Sequence, residues 1–170
     1  MLSAAKIKVM VTRLTLAPLA IGAYLFAQST PAYKGPRPPK SDVVYLVHAS
    51  NLVPTEVAEA REDTKKNSTT YSVPGPTSSA RTPLAEPIFL LQADRISAET
   101  LELYRMEVKN GQREVSTSSR RTRGGPRALR VSVTRVDRGL YRLEASETLE
   151  NGQYALTPSG SNKVFCFEVY

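Results

Sequence analysis

The feature that most constrains the fold is a pair of short runs joined by Asn110 and Gly111. The runs are LELYRMEVK before this dipeptide and QREVSTS after it. An Asn-Gly pair supplies the positive φ angles that a two-residue hairpin turn requires. The sequence therefore predicts an antiparallel hairpin here, with Leu101 and Leu103 on one alternating face.

Other short runs recur at intervals of roughly ten residues, separated by turn residues. In ALRVSVTRV, the apolar side chains of Leu129, Val131 and Val133 fall on one face and polar side chains on the other, until the alternation slips near Val136. The remaining predicted strands are VVYLVH, LVPTEV, TTYSV, PIFLLQADRI, LYRLEAS, NGQYALTP and KVFCFEVY. Asn151 and Gly152 are predicted to form a second turn.

This spacing predicts an all-β domain over residues 42–170, an antiparallel β-sandwich of about eight to ten strands. A half-open barrel is the alternative. One segment, EVAEAREDTKK (residues 56–66), is rich in helix-forming residues but has few apolar positions. It is predicted to be a polar, exposed connection or a frayed turn of helix.

Residues 1–27 have the layout of a secretory signal. Basic residues up to Arg13 precede an uncharged, largely apolar run of 14 residues (14–27), which is too short to span a bilayer as a helix. Cleavage is predicted after Ala27, although Leu25 is an imperfect residue at that site and cleavage after Ala32 is an alternative. An uncleaved signal anchor, or a helix packed on the domain, also stays open.

Residues 28–41 are rich in proline and predict an extended linker. The mature protein is expected to be periplasmic or secreted, with no stable membrane span after cleavage. Loss of the basic signal residues lowers the formal charge from +7 to about +4, a value that suits solubility.

Cys166 and His48 each occur once, which limits the chemistry available to the chain. A single cysteine forms no intramolecular disulfide, and its place between Phe165 and Phe167 predicts a small buried side chain facing away from both rings. A reactive nucleophile or an intermolecular disulfide is the alternative. A single histidine excludes multi-histidine metal sites and makes a histidine-based triad hard to assemble, so it is predicted to be a hydrogen-bonded strand residue. No metal and no cofactor are expected.

A group of acidic residues lies in the segment 56–66. Paired carboxylates could perform general acid and base chemistry, as in glycosidases, but a solvated charged face explains the same pattern. The residues are Glu56, Glu59, Glu62 and Asp63.

The stretch between Glu114 and Asp137 contains no acid and six arginines. The planar guanidinium suits phosphate, sulfate and carboxylate groups, so this stretch could bind an anionic glycan, a lipid headgroup or an acidic envelope protein. A solvated loop is the alternative. Nucleic acid is not an expected partner, because the aromatic residues of single-strand binders are missing there. The candidate ligand-binding residues are Arg120, Arg121, Arg123 and Arg127.

The stretches ELYRMEVKNGQREV, NGQYALTP and KVFCFEVY resemble a group of uncharacterised exported bacterial proteins. Those proteins have a similar Gly-x-Tyr-Ala-Leu strand and close with a Val-Phe-Cys-Phe strand. The resemblance covers residues 42–170 and implies a β-rich fold and an exported setting, but it carries over no active site. This chain departs from the pattern at Gln153, where an acid is expected.

Together these features favour a non-enzymatic binding or accessory module of the cell envelope. A hydrolase with a carboxylate-based site and a purely structural envelope subunit are the alternatives.

The first prediction concerns export. Fractionation of the producing cell should recover the mature chain outside the cytoplasm, and N-terminal sequencing should begin at Gln28 because the apolar run ends at Ala27. A soluble cytoplasmic product that retains Met1 would contradict it.

Overall fold

The computed structural model describes residues 33–66, 68–118 and 127–170. These residues form an all-β structure whose helical content is a single-turn 3-10 helix, Ala98–Thr100. The strands are β1 Val44–His48, β2 Asn51–Pro54, β3 Glu56–Glu59, β4 Arg61–Lys65, β5 Ser68–Pro74, β6 Arg81–Thr82, β7 Ile88–Gln92, β8 Leu101–Lys109, β9 Gln112–Ser118, β10 Val131–Asp137, β11 Leu140–Ala145, β12 Gly152–Pro158 and β13 Lys163–Val169.

The strands form two sheets. The smaller has the order β10-β11-β7-β1-β2, and the larger has the order β3-β13-β12-β8-β9-β5-β4, with β6 pairing alongside β13. Neighbours are antiparallel except β6 and β13, which are parallel. The predicted all-β sandwich is confirmed, and it has more strands than expected because β3, β4 and β6 add to those read from the sequence.

The main hydrophobic core lies between the two sheets. Phe89 of the smaller sheet meets Phe167 of the larger with ring centroids 5.0 Å apart in an edge-to-face arrangement, and Tyr154 stacks on Phe167 at 5.5 Å. Leu129, Val131 and Val133 pack against this core, as their alternation predicted. Each fully buried side chain of this size stabilises the fold by about 1.5–3 kcal/mol.

The hairpin predicted at Asn110 and Gly111 is confirmed. Both residues have positive φ angles, of 51° and 75°, and they connect β8 to β9 between the paired residues Lys109 and Gln112. These angles match a turn whose twist agrees with that of the flanking strands.

The predicted turn at Asn151 and Gly152 is wrong. Gly152 is the first residue of β12, which lies in the larger sheet, whereas the preceding strand β11 lies in the smaller one. The chain between them crosses from one sheet to the other. The dipeptide signals only local geometry, and the main-chain pairing that decides between a hairpin and a crossover is made with distant strands.

The prediction of a polar connection or frayed helix over residues 56–66 is also wrong, because the segment forms β3 and β4. Lys163 to Cys166 pair with β3, and the full length of β4 pairs with β5. Tertiary main-chain pairing overrides the helix propensity of the Ala, Glu, Lys and Arg residues.

This segment gives the larger sheet its shape. β3 and β4 lie at opposite ends of the strand order, yet Ala60 alone separates them in the chain. The sheet therefore curls until its two ends meet.

The curl is incomplete between β8 and β9. These strands pair only from Glu107 to Lys109 with Gln112 to Glu114, and at the other end of β8 the Leu129 amide donates to the Leu103 carbonyl over 2.7 Å. The description as a half-open barrel therefore fits the larger sheet.

The predicted linker is described from residue 33 onward. Arg37 forms an ion pair with Asp137, so this part of the linker contacts the domain. Predictions about residues 1–27 and the start of the linker fall outside the described residues. In the described part of the chain, no helix has the length and apolar character needed to cross a membrane.

Asp42, the first residue of the predicted domain, caps a loop. Its carboxylate accepts hydrogen bonds from the backbone amides of Asp94, Arg95 and Ile96 at 2.9–3.2 Å. Burial opposes ionisation of the carboxyl group, but these hydrogen bonds hold its pKa below the ordinary value. The residue has a φ of 58°, a conformation that Asp and Asn tolerate.

The second prediction is that Asp42→Asn lowers the free energy of unfolding by about 1–2 kcal/mol at neutral pH, because an amide oxygen accepts more weakly than a carboxylate. The folded-state pKa is depressed, so this stabilisation is present above the unfolded value near 3.8 and is lost as the pH falls through the folded value. Urea unfolding at neutral pH and at a pH well below 3.8 should show the difference from the natural protein shrinking as the pH falls. Asp94→Asn is the control, and an equal loss at both pH values would contradict the prediction.

Candidate functional site

The inner face of the curled sheet carries a second cluster of side chains. Tyr104 pairs in register with Ala155, and Ala155 pairs with Cys166, so all three project from the face opposite the main core. The buried members of this cluster are Ala60, Val73, Met106, Val115, Ala155, Val164 and Cys166.

One end of this interior is closed by an ion pair between a buried arginine and a partly buried glutamate. The Arg113 side chain is 1% exposed, and its guanidinium donates to both carboxylate oxygens of Glu56, at 2.9 and 2.6 Å. It also donates to the backbone carbonyls of Pro74 and Gly75, at 2.9 and 3.0 Å. Desolvation opposes ionisation, but the Arg113 guanidinium lowers the pKa of Glu56 below its ordinary value. Both groups are therefore charged and paired with each other.

A loop packs over the same end. The backbone amide of Ser79 donates to the Glu56 carboxylate at 3.2 Å, and that of Ser78 donates to the side-chain oxygen of Gln153 at 2.9 Å. Gln153, which stands where the resemblance leads one to expect an acid, is buried. In this chain its amide oxygen has a structural partner.

Cys166 is fully buried beside this ion pair, which confirms its prediction as a small core residue. Phe165 and Phe167 belong to the core between the sheets, so the thiol does face away from both rings. Burial raises the pKa of the thiol to about 12. A protonated, inaccessible thiol is a poor nucleophile.

Toward the other end, the interior holds a cavity of about 210 Å³. An apolar cavity of about 150 Å³ is large enough to bind benzene, so this one has room for a small organic molecule. Its apolar walls are Ala60, Met106, Val115, Ala155 and Val164. Pro158, Gly160 and Ser161 of the turn between β12 and β13 border it as well.

Two tyrosines and a carboxylate contribute polar groups to the cavity, which Thr117 and Thr157 also line. Tyr71 and Tyr104 line it together with Glu102, and the Tyr104 hydroxyl donates to a Glu102 carboxylate oxygen at 2.8 Å. Burial, and then this hydrogen bond, raise the pKa of Tyr104 to about 12. Tyr104 is therefore a neutral hydrogen-bond donor at physiological pH.

These cavity residues were not predicted as a site from the sequence. Glu102, Tyr104 and Met106 alternate with Leu101 and Leu103 along β8, so the alternation did place them on the opposite face. A strand with one buried face normally turns its other face to solvent, and only the curl of the sheet makes this face an interior.

The predicted arginine site falls mainly outside the described residues, which exclude Arg120, Arg121 and Arg123. Arg127 is exposed and lies 3.4 Å from the Glu147 carboxylate. The sequence contains no acid between Glu114 and Asp137, but the chain after β11 supplies Glu147 to Arg127.

The acidic residues of the segment 56–66 do not converge. Glu56 is engaged by Arg113, Glu59 is exposed, Glu62 accepts from Thr64, and Asp63 pairs with Lys65 at 3.0 Å. The interpretation of this group as a solvated charged face is therefore correct except at Glu56.

His48 is hydrogen-bonded, as predicted. Its Nε2 lies 3.0 Å from the hydroxyl oxygen of Thr82, and the residue ends β1. Among residues 33–66, 68–118 and 127–170, no three histidine, cysteine or carboxylate side chains are grouped as a metal site requires.

Comparisons with protein-family models, with curated proteins and with solved structures found no match.

The third prediction tests the closed end. Arg113→Met should lower the free energy of unfolding by about 3–5 kcal/mol, because the Glu56 carboxylate loses its buried partner. Glu56→Gln in the same chain should restore part of this loss, since it removes the unpaired charge. The measurement is urea unfolding of the single and double variants at neutral pH.

A matched control is Arg105→Met. Arg105 also forms an ion pair with a glutamate, Glu150, but both side chains are exposed, at 50% and 77%. Its loss should cost at most about 1 kcal/mol. Equal effects of the two arginine substitutions would contradict the prediction.

Proposed function

We propose that this chain is an exported, non-enzymatic binding module of the cell envelope, and that its ligand occupies the cavity inside the curled sheet. The observation that carries the proposal is the cavity itself, about 210 Å³ of space lined by apolar side chains and a few polar groups. Small-molecule sites have this composition, in which apolar surface supplies binding energy and a few polar groups fix orientation.

The surroundings of the cavity support binding rather than catalysis. Its carboxylate, Glu102, is hydrogen-bonded to Tyr104, whose hydroxyl keeps its proton. The thiol of Cys166 lies buried behind the cavity wall, and Glu56 is held by Arg113 at the other end of the interior. These groups are engaged in structural contacts. Covalent catalysis instead uses a nucleophile paired with a base.

The export part of the proposal rests on the signal-like residues 1–27 and on the proline-rich linker that follows. In this setting the domain would stand outside the cytoplasm, where small organic molecules, glycans and lipid headgroups are available. The arginine-rich stretch stays a prediction for a second, anionic partner.

The fourth prediction is that the domain binds small organic fragments of about eight to ten non-hydrogen atoms inside the cavity. Titration of 4-methylbenzyl alcohol should shift the methyl resonances of Met106, Val115 and Val164, which line the cavity. Ala155→Leu should weaken this binding at least tenfold, because the added side chain fills the space. Val115→Phe is a second filling variant should Ala155→Leu not fold.

Thr134→Leu is the control, because Thr134 is an exposed residue of β10 in the other sheet. It also adds a leucine, but outside the cavity, so it should leave the affinity unchanged. The proposal would be overturned if no fragment shifted the cavity methyl resonances, or if binding survived both filling variants.

A further inference from the structure

The charge on the cavity wall restricts what it can hold. Among residues 33–66, 68–118 and 127–170, Glu102 is the one Asp, Glu, Lys, Arg or His residue that lines the cavity. Within the same ranges, no lysine or arginine forms an ion pair with it. The nearby basic group on the inner face, Arg113, donates to Glu56 and to backbone carbonyls. The described part of the wall is thus negative.

The carboxylate of Glu102 retains acceptor capacity. Two carboxylate oxygens offer about four lone-pair directions, and Tyr104 occupies one of them through its 2.8 Å hydrogen bond. Because Tyr104 is a donor in this bond, it also holds the carboxylate against the cavity wall. A ligand group with N–H donors could use the remaining directions.

The aromatic rings and the thioether of the cavity suit the same kind of ligand. Tyr71 and Tyr104 both line it, and the faces of aromatic rings attract cations. Met106 adds a polarisable sulfur, and its side chain is buried. Apolar walls next to one carboxylate and two rings fit a molecule with a cationic end and an apolar body.

We propose that the cavity selects a small organic ammonium compound, with its protonated amine against Glu102 and its apolar body between Met106, Val115, Ala155 and Val164. The inference rests on the function proposed above and names the ligand class of that same site. An ammonium group exchanges water for the carboxylate oxygen and the ring faces, whereas a carboxylate ligand would meet the like charge of Glu102. By proportion with benzene in a cavity of about 150 Å³, the whole ligand has about eight to ten non-hydrogen atoms.

Three ligands of nearly equal shape separate charge from size. 4-Methylbenzylamine, 4-methylbenzyl alcohol and 4-methylbenzoate are titrated into the full domain at pH 7, with the Met106 methyl resonance as the readout. The fifth prediction is that the amine binds at least tenfold tighter than the alcohol and that the benzoate binds most weakly.

The role of the carboxylate is tested with Glu102→Gln, which keeps size and removes charge. This variant should bring the dissociation constant of the amine within threefold of that of the alcohol and leave the alcohol nearly unchanged. Glu107→Gln is the matched control, because Glu107 is an exposed glutamate of the same strand that pairs with Lys109 outside the cavity. It should preserve the preference for the amine.

The outcomes distinguish the two proposals. Binding of the alcohol or the benzoate at least as tightly as the amine would overturn the ammonium inference and leave a ligand cavity in place. A preference for the amine that survives Glu102→Gln would overturn it too. Failure of all three compounds to shift the Met106 resonance would overturn the proposed function, and the inference with it.

Discussion

The ion pair between Arg113 and Glu56 joins parts of the larger sheet that are not neighbours in its strand order. Arg113 lies on β9 and Glu56 on β3, with three strands between them on one side and two on the other. The guanidinium crosses the interior and fixes the spacing of its walls. Each charge needs the other, because an unpaired ion in this position would cost several kcal/mol. The closed end, the loop that covers it and the cavity beyond it all depend on this contact.

The two faces of the larger sheet line two different interiors because each face packs against a different partner. One face packs on the smaller sheet through large side chains such as Phe165 and Phe167. The other face carries smaller residues, including Ala155 and Cys166, and packs on itself by curling. Large rings fill the space between two sheets, whereas small side chains on a curled face leave room at its centre. Small side chains such as Ala60 and Ala155 thus leave room for the cavity beside the larger Tyr71 and Tyr104.

The charge of the whole domain and the charge that lines the cavity also differ. The domain carries more basic than acidic residues, yet the charged side chain that lines the cavity in the described chain is the acid Glu102. The formal charge of the domain therefore does not indicate the charge at this site, since solvent screens charges differently at the surface and in the interior. Solvent screens exposed arginines such as Arg127, and it screens a partly enclosed carboxylate much less. A cationic ligand for the cavity is compatible with a separate anionic partner for the arginine-rich stretch.

The sequence by itself determined the all-β class, the hairpin at Asn110 and Gly111, the core face of Leu129 to Val133 and the burial of Cys166. These follow from local rules, namely alternation, turn geometry and residue type, which need no distant partner. Tertiary structure alone decided that residues 56–65 are strands, that Asn151 precedes a strand in the other sheet, and that Glu102 and Tyr104 line an interior. Each of these depends on main-chain pairing with residues far away in sequence, and alternation distinguishes two faces without saying which of them a curled sheet will enclose.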